Sequence, residues 1–201
     1  MYAIFCKLKN MSSKCFFSTV IRCILRVIYK FDSWHISGSF YCRQYKRDIV
    51  KEVNNLEGLD NYSCVVEIGC GLGDLVSRIN VQRKFGYDID KNSIKAARVL
   101  YKKTHFFLGS FDEVKNSIEQ NISILILVNW IHNIPKDELM WDINNLVNDK
   151  KVAYIILDEV LPSVSGYKYY HDFSNCFQGY KTLKIFLDPE GIRNFRILYK
   201  V

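Results

Sequence analysis

The nine residues V-V-E-I-G-C-G-L-G, Val65 to Gly73, join a buried strand to a tight turn within one short segment. Val65, Val66 and Ile68 form an apolar, mostly β-branched run, and glycines then stand at alternate positions 69, 71 and 73. Glycines at such a turn accept positive φ and carry no Cβ, so bare backbone can lie against a bound molecule. Asp74 to Ile79 is expected to open a helix directly after the turn. The next strand reads F-G-Y-D-I-D, Phe85 to Asp90, and places Asp88 fifteen residues after Gly73. A carboxylate at the tip of a second strand, about 20 residues past a glycine turn, is the usual partner of ribose hydroxyls.

Working outward from this pair, strands and helices alternate as they do around a parallel sheet. Lys84 to Asp88 is expected as strand two, Lys91 to Lys103 as a helix, and His105 to Leu108 as strand three. Ile122 to Val128 is continuously apolar, as a central strand buried on both faces requires. Pro135 is expected to begin a helix through Leu146, followed by a strand over Val152 to Leu157 tipped by Asp158 and Glu159. Tyr180 to Leu187 and Phe195 to Tyr199 alternate around the turn Asp188-Pro189-Glu190-Gly191, which predicts an antiparallel hairpin closing the sheet. Ligands sit beyond the carboxyl ends of parallel strands, so Gly71, Asp88, Ser110, Asn129 and Asp158 are expected on one rim.

The nature of the nucleoside follows from the details of the turn. A dinucleotide site has Gly-x-Gly-x-x-Gly and a helix start free of acid for the pyrophosphate. Here the third glycine comes one residue early, and Asp74 follows it. Glu67 and Asp74 would repel a pyrophosphate, yet suit a zwitterionic cofactor carrying a sulfonium cation. On Glu67, Gly69, Gly71 and Gly73, matching E/D-x-G-x-G-x-G, and on Asp88, matching the acid that ends strand two, the chain resembles class I S-adenosylmethionine-dependent methyltransferases. The resemblance implies an α/β, Rossmann-like seven-stranded fold, mostly parallel, with the C-terminal antiparallel hairpin and an N-terminal helical extension. It divides the chain into a basic helical extension, 1–56, and a cofactor-binding domain, 57–201. It also implies S-adenosylmethionine as cofactor, held by Glu67, Gly69, Cys70, Gly71, Gly73, Asp88, Ile89, Ser110, Phe111, Asn129 and Trp130. Family members place an acid near Gly109-Ser110-Phe111-Asp112 for the adenine amine, a role that falls here to Ser110 or Asp112.

The whole chain has 201 residues and a formal charge of +7. Residues 1–51 hold ten Lys or Arg against Asp32 and Asp48, so this part carries +8 and the rest of the chain −1. That imbalance assigns the basic surface to the N-terminal element and leaves a near-neutral catalytic body, so nucleic acid is not the expected partner. Seven cysteines form no C-x-x-C pair and no metal-spaced cluster, which favours reduced, cytoplasmic thiols.

From Phe16 to Phe31 apolar residues follow helical spacing while Arg22, Arg26 and Lys30 recur every four. This basic amphipathic helix is too short and too charged to span a bilayer. It can pack on the body as a lid, contact an anionic membrane surface peripherally through residues 14–31, or hold an acidic polymer. Asp32 to Ser39 is expected as a loop and Phe40 to Leu56 as a second amphipathic helix. Trp34, His35, Arg43 and Tyr45 are the acceptor-binding candidates that the resemblance implies.

Methyl transfer asks the protein to hold an acceptor in line and, for a hydroxyl, to take its proton. His132, His171 and Asp158 are the catalytic candidates. Asn129, Asp158 and Glu159 make a weak oxygen set, and no metal is expected. Nitrogen methylation in this class uses Asp/Asn-Pro-Pro-aromatic at the tip of strand four. Asn129-Trp130-Ile131 stands there instead, which favours a hydroxyl. The segments F-D-S-W-H-I-S and G-Y-K-Y-Y-H-D-F look like those of small bacterial methyltransferases that accompany polysaccharide assembly. The expected activity is O-methylation of a saccharide, a glycoconjugate or another small molecule, in the cytoplasm or at the inner face of a membrane. An RNA or protein methyltransferase using the basic N-terminal segment and a non-catalytic S-adenosylmethionine-binding protein are the alternatives. Oligomeric state is left open.

Overall fold

A computed structural model describes residues 12–201; Lys7, Lys9 and Cys6 of the N-terminal extension lie outside the described residues. Seven strands form one sheet in the order β3-β2-β1-β4-β5-β7-β6. They are β1 Cys64–Ile68, β2 Arg83–Asp88, β3 His105–Leu108, β4 Ile124–Leu127, β5 Tyr154–Val160, β6 Tyr180–Leu187 and β7 Arg193–Lys200. The first five pair in parallel, while β7 runs antiparallel to both β5 and β6. The mostly parallel sheet with a C-terminal hairpin agrees with the expectation. Among the described residues six α-helices accompany it: α1 Ser13–Tyr29, α2 Trp34–Ser37, α3 Gln44–Asn54, α4 Lys91–Leu100, α5 Phe111–Ser117 and α6 Lys136–Lys150.

Strand alternation sorts the core into two layers. Cys64, Val66, Ile68, Leu125, Leu127, Ile155 and Leu157 face α5 and α6, whereas Val65, Ile124, Ile126 and Ile156 face α3 and α4. Successive side chains on a strand point to opposite faces, so a sheet covered on both sides needs apolar residues at every position. Every residue of β1 and of β4 is buried accordingly. On α6 the spacing of Leu139, Ile143, Leu146 and Val147 turns one stripe inward.

Five local expectations are corrected. Trp34–Ser37, within the segment expected as a loop, forms the short helix α2. Asp74 to Ile79 makes turns closed by a single 3-10 turn at Val76–Arg78 instead of a helix. The connection from β1 to β2 is short, and Leu75, Val76 and Ile79 are all buried in it, so it folds under α3 without a full crossover helix. Asp158 and Glu159 lie within β5, not beyond its tip. Helix α5 went unread, although Ser110 and Glu113 have capping-box spacing and the Glu113 carboxylate accepts the Ser110 N–H at 2.7 Å. Cys15 and Cys42, expected as thiols, form a disulfide with Sγ atoms 2.07 Å apart, joining the start of α1 to the approach of α3. The pairing depends on the fold bringing residues 27 apart together, and sequence spacing carries no sign of it. Cys23, Cys64, Cys70 and Cys176 are free.

Candidate functional site

At the carboxyl ends of β1, β2 and β4, residues Gly69, Gly71, Asp88, Ser110 and Asn129 border one cavity of about 930 Å³. The glycine turn is fixed to β2 by its backbone: the Cys70 N–H donates to Tyr87 O at 2.9 Å, and the Gly71 N–H donates to Asp88 Oδ2 at 2.7 Å. Asp88 Oδ1 accepts the Asp90 N–H at 2.8 Å. Each carboxylate oxygen thus accepts one backbone hydrogen bond and keeps a further lone pair. Burial raises the Asp88 pKa.

Two glycines are required sterically as well as conformationally. A Cβ on Gly69 (φ +72°) would come within 2.1 Å of the Trp130 ring, and one on Gly71 (φ +53°) within 2.5 Å of the His35 ring. Trp130 is anchored there by its indole N–H, which donates to Ile68 O at 2.5 Å. His35 stacks on Trp34 with ring centroids 3.7 Å apart and lies 3.2 Å from Ser93 Oγ through Nε2. Burial, together with the Lys46 and Arg22 charges, lowers the His35 pKa to about 4, so a neutral imidazole covers the turn at physiological pH.

The two acids beside the turn behave differently. Glu67 borders the cavity, accepts the Val76 N–H at 3.0 Å, and has its pKa raised to about 8 by burial. Asp74 does not border the cavity, contrary to the expected contact with a sulfonium. It is bound by Arg22 Nη2 at 2.6 Å and Lys46 Nζ at 2.9 Å, and by the Tyr101 hydroxyl at 2.9 Å. Burial alone would raise its pKa, but the Lys46 and Arg22 charges outweigh that and hold its carboxyl well below the usual range. Arg22, expected among the repeating surface cations of α1, is 2 % exposed.

Of the residues expected at the cofactor, Glu67, Gly69, Cys70, Gly71, Asp88, Ile89, Ser110, Asn129 and Trp130 border the cavity; Gly73 and Phe111 do not. Phe111 is a core residue of the α5 layer, and a Cβ on Gly73 would meet the Phe106 ring. Trp34, His35, Arg43 and Tyr45 all border it. His132, His171 and Asp158 lie behind the wall, and each is buried. His132 Nε2 is 3.3 Å from Asp158 Oδ2, and His171 Nε2 is 3.0 Å from Ile131 O. Asp158 accepts the Asn129 N–H at 3.1 Å and Arg193 Nη1 at 2.8 Å, so it positions two residues that do reach the cavity. Lys46, Asp188, Glu190 and Arg193 border the cavity and were missed. The charges flanking the Pro189-Glu190-Gly191 turn were the available signal. Among the described residues no cluster of His, Cys, Asp and Glu could hold a metal ion.

No family model matches the chain, and no curated protein does. Solved structures do. Magnesium protoporphyrin IX methyltransferase (ChlM) from Synechocystis PCC 6803, crystallised with SAH, superposes with a TM-score of 0.61 at 14% identity over 79% of this chain and 83% of that one. The same enzyme has also been crystallised with SAM. This is the class I S-adenosylmethionine-dependent methyltransferase fold. TehB from Haemophilus influenzae shares this methyltransferase fold at TM-score 0.58 and 14% identity, over 83% of this chain and 65% of that one. The small RNA methyltransferase HEN1 has a TM-score of 0.61 at 16% identity, over 78% of this chain but 25% of that chain.

Proposed function

We propose that the protein is an S-adenosylmethionine-dependent methyltransferase whose acceptor is a hydroxyl of a saccharide, a glycoconjugate or another small molecule. The observation that carries the reading is the single cavity in which the glycine turn, Asp88, Ser110 and Asn129 meet Trp34, Arg43, Tyr45 and Glu190. The donor set suits an adenosyl sulfonium: Asp88 offers free lone pairs for ribose hydroxyls, and Glu67 is a buried carboxyl beside the turn that forms no ion pair among the described residues. Bound there, the cofactor supplies an activated methyl group.

The chain's own residues hold the acceptor and receive its proton. Aromatic faces at Trp34 and Tyr45 suit the apolar face of a sugar ring, while Asn129, Arg43 and Glu190 offer hydrogen bonds to its hydroxyls. Asp188 and Glu190 are the wall carboxylates we assign to proton acceptance, with Asp158 as the positioning residue that holds Asn129 and Arg193 and with His132 beside it.

An acidic polymer is the second reading, favoured by the +8 charge of residues 1–51. Its weight falls because Arg22 and Lys46 are held by buried Asp74. Transfer of labelled methyl to a panel of nucleotide sugars, lipid-linked glycans and RNA separates the readings. Labelling of a carbohydrate hydroxyl is expected. Labelling of RNA alone, diminished by salt, would replace the first reading with the second.

A further inference from the structure

Helix α1 meets the body along a narrow stripe, and the stripe is not the one its apolar residues form. Cys15, Arg22 and Leu25 are its buried residues; Leu25 packs with Phe31, Leu72 and Ala96, and Arg22 reaches Asp74. The opposite side carries Phe17, Val20, Ile21, Ile24, Val27 and Ile28, with Ile24 56 %, Ile28 61 %, Phe17 63 % and Val27 80 % exposed. Successive helical residues are spaced by roughly 100°, so these side chains share one arc of about 120° facing away from the protein. An apolar face this continuous is unusual on an isolated soluble surface and marks a contact site.

The charges around the face identify what it meets. Exposed Lys14 stands at one end of the helix, and exposed Arg26 and Lys30 at the other. Residues 1–31 contain six Lys or Arg and no Asp or Glu, the first acid being Asp32. A second copy of this chain would bring those same cations against each other, at a Coulombic cost. The surface that complements both the apolar arc and an all-cationic border is an anionic lipid bilayer: side chains enter the acyl boundary while lysines and arginines stay at the headgroups. No described helix is long and apolar enough to cross a membrane, so the contact lies in the interface plane. We propose that the outward face of α1 docks the protein on an anionic membrane surface.

Co-sedimentation of the full chain with phosphatidylcholine vesicles, with and without phosphatidylglycerol, tests this. Retention is expected on the anionic vesicles only, weakening as salt is raised. The double substitution Ile24→Ser with Val27→Ser, at two outward positions that leave the Arg22 and Leu25 contacts intact, should reduce retention roughly tenfold or more. Lys14→Gln with Lys30→Gln should reduce it on anionic vesicles as well. Equal retention on both kinds of vesicle, or retention on neither, overturns the proposal. A dimer in sedimentation velocity that the serine pair disperses, without vesicle binding, overturns it in favour of a second copy. Each readout is independent of methyl transfer, so the result stands whatever the cofactor.

Discussion

Glu67 and Asp74 stand seven residues apart on either side of the glycine turn, and their surroundings give them opposite roles. Asp74 is held ionised by two buried cations, while Glu67, buried with one N–H partner, has a pKa raised to about 8 and is mostly protonated at pH 7. On the proposed placement of the sulfonium beside Glu67, the cation favours the ionised form, and cofactor binding below about pH 8 is expected to release a proton. The affinity for S-adenosylmethionine relative to the uncharged thioether product is therefore expected to rise with pH, by up to about tenfold per unit, and to level off above pH 8. Calorimetry in buffers of different ionisation enthalpy measures the released proton directly. Glu67→Gln, which keeps an acceptor for the Val76 N–H, should abolish the dependence; identical pH profiles for the two ligands would assign the charge selectivity elsewhere. The turn was legible because its chemistry is local: glycine spacing and the Asp88 offset are read within one strand–turn–strand segment. The role of Asp74 was not, since Arg22, its partner, is 52 residues away.

At the scale of elements, strands β1 to β7 were readable from apolar runs, and their ends were placed within a few residues. Helix α1 shows where periodicity stops being sufficient. The spacing announced an amphipathic helix, but the pattern does not say which face meets the protein, and the Asp74 carboxylate takes Arg22 inward. That ion cluster is what holds α1 and α3 to the glycine turn: Arg22 Nη1 also donates to His35 O at 2.8 Å, and Lys46 Nζ to Gly38 O at 2.6 Å. Asp74→Ala leaves two buried cations uncompensated and is expected to cost about 3–5 kcal/mol in chemical denaturation. Hydrogen exchange should show the loss concentrated in residues 13–54, the part of the chain those contacts tether. A loss under about 1 kcal/mol would mean that solvent reaches Arg22 and Lys46 and that the cluster contributes little.

Over the whole molecule, one rim of the sheet collects residues from β1, β2, β4, the hairpin and the N-terminal helices into a single cavity. One part of the cavity wall, Glu67 to Leu72 with Asp88 and Ile89, comes from the glycine turn and the end of β2, and another, including Trp34, Arg43, Tyr45, Lys46, Asp188, Glu190 and Arg193, from the N-terminal segment and the hairpin. This division explains why the donor was deducible from local motifs while Arg193 and Asp188 were not: they approach the site only because β7 pairs with β5. The basic extension is divided too, with Arg22 and Lys46 spent on buried Asp74 and Lys14, Arg26 and Lys30 exposed at the ends of α1. The most direct measurement is calorimetric titration of the purified protein with S-adenosylmethionine, S-adenosylhomocysteine and NAD. The account predicts one-site binding of the first two, no heat with NAD, and a weakening of roughly 1–3 kcal/mol in Asp88→Ala. Silence with both adenosyl ligands, or binding of NAD in their place, would contradict it.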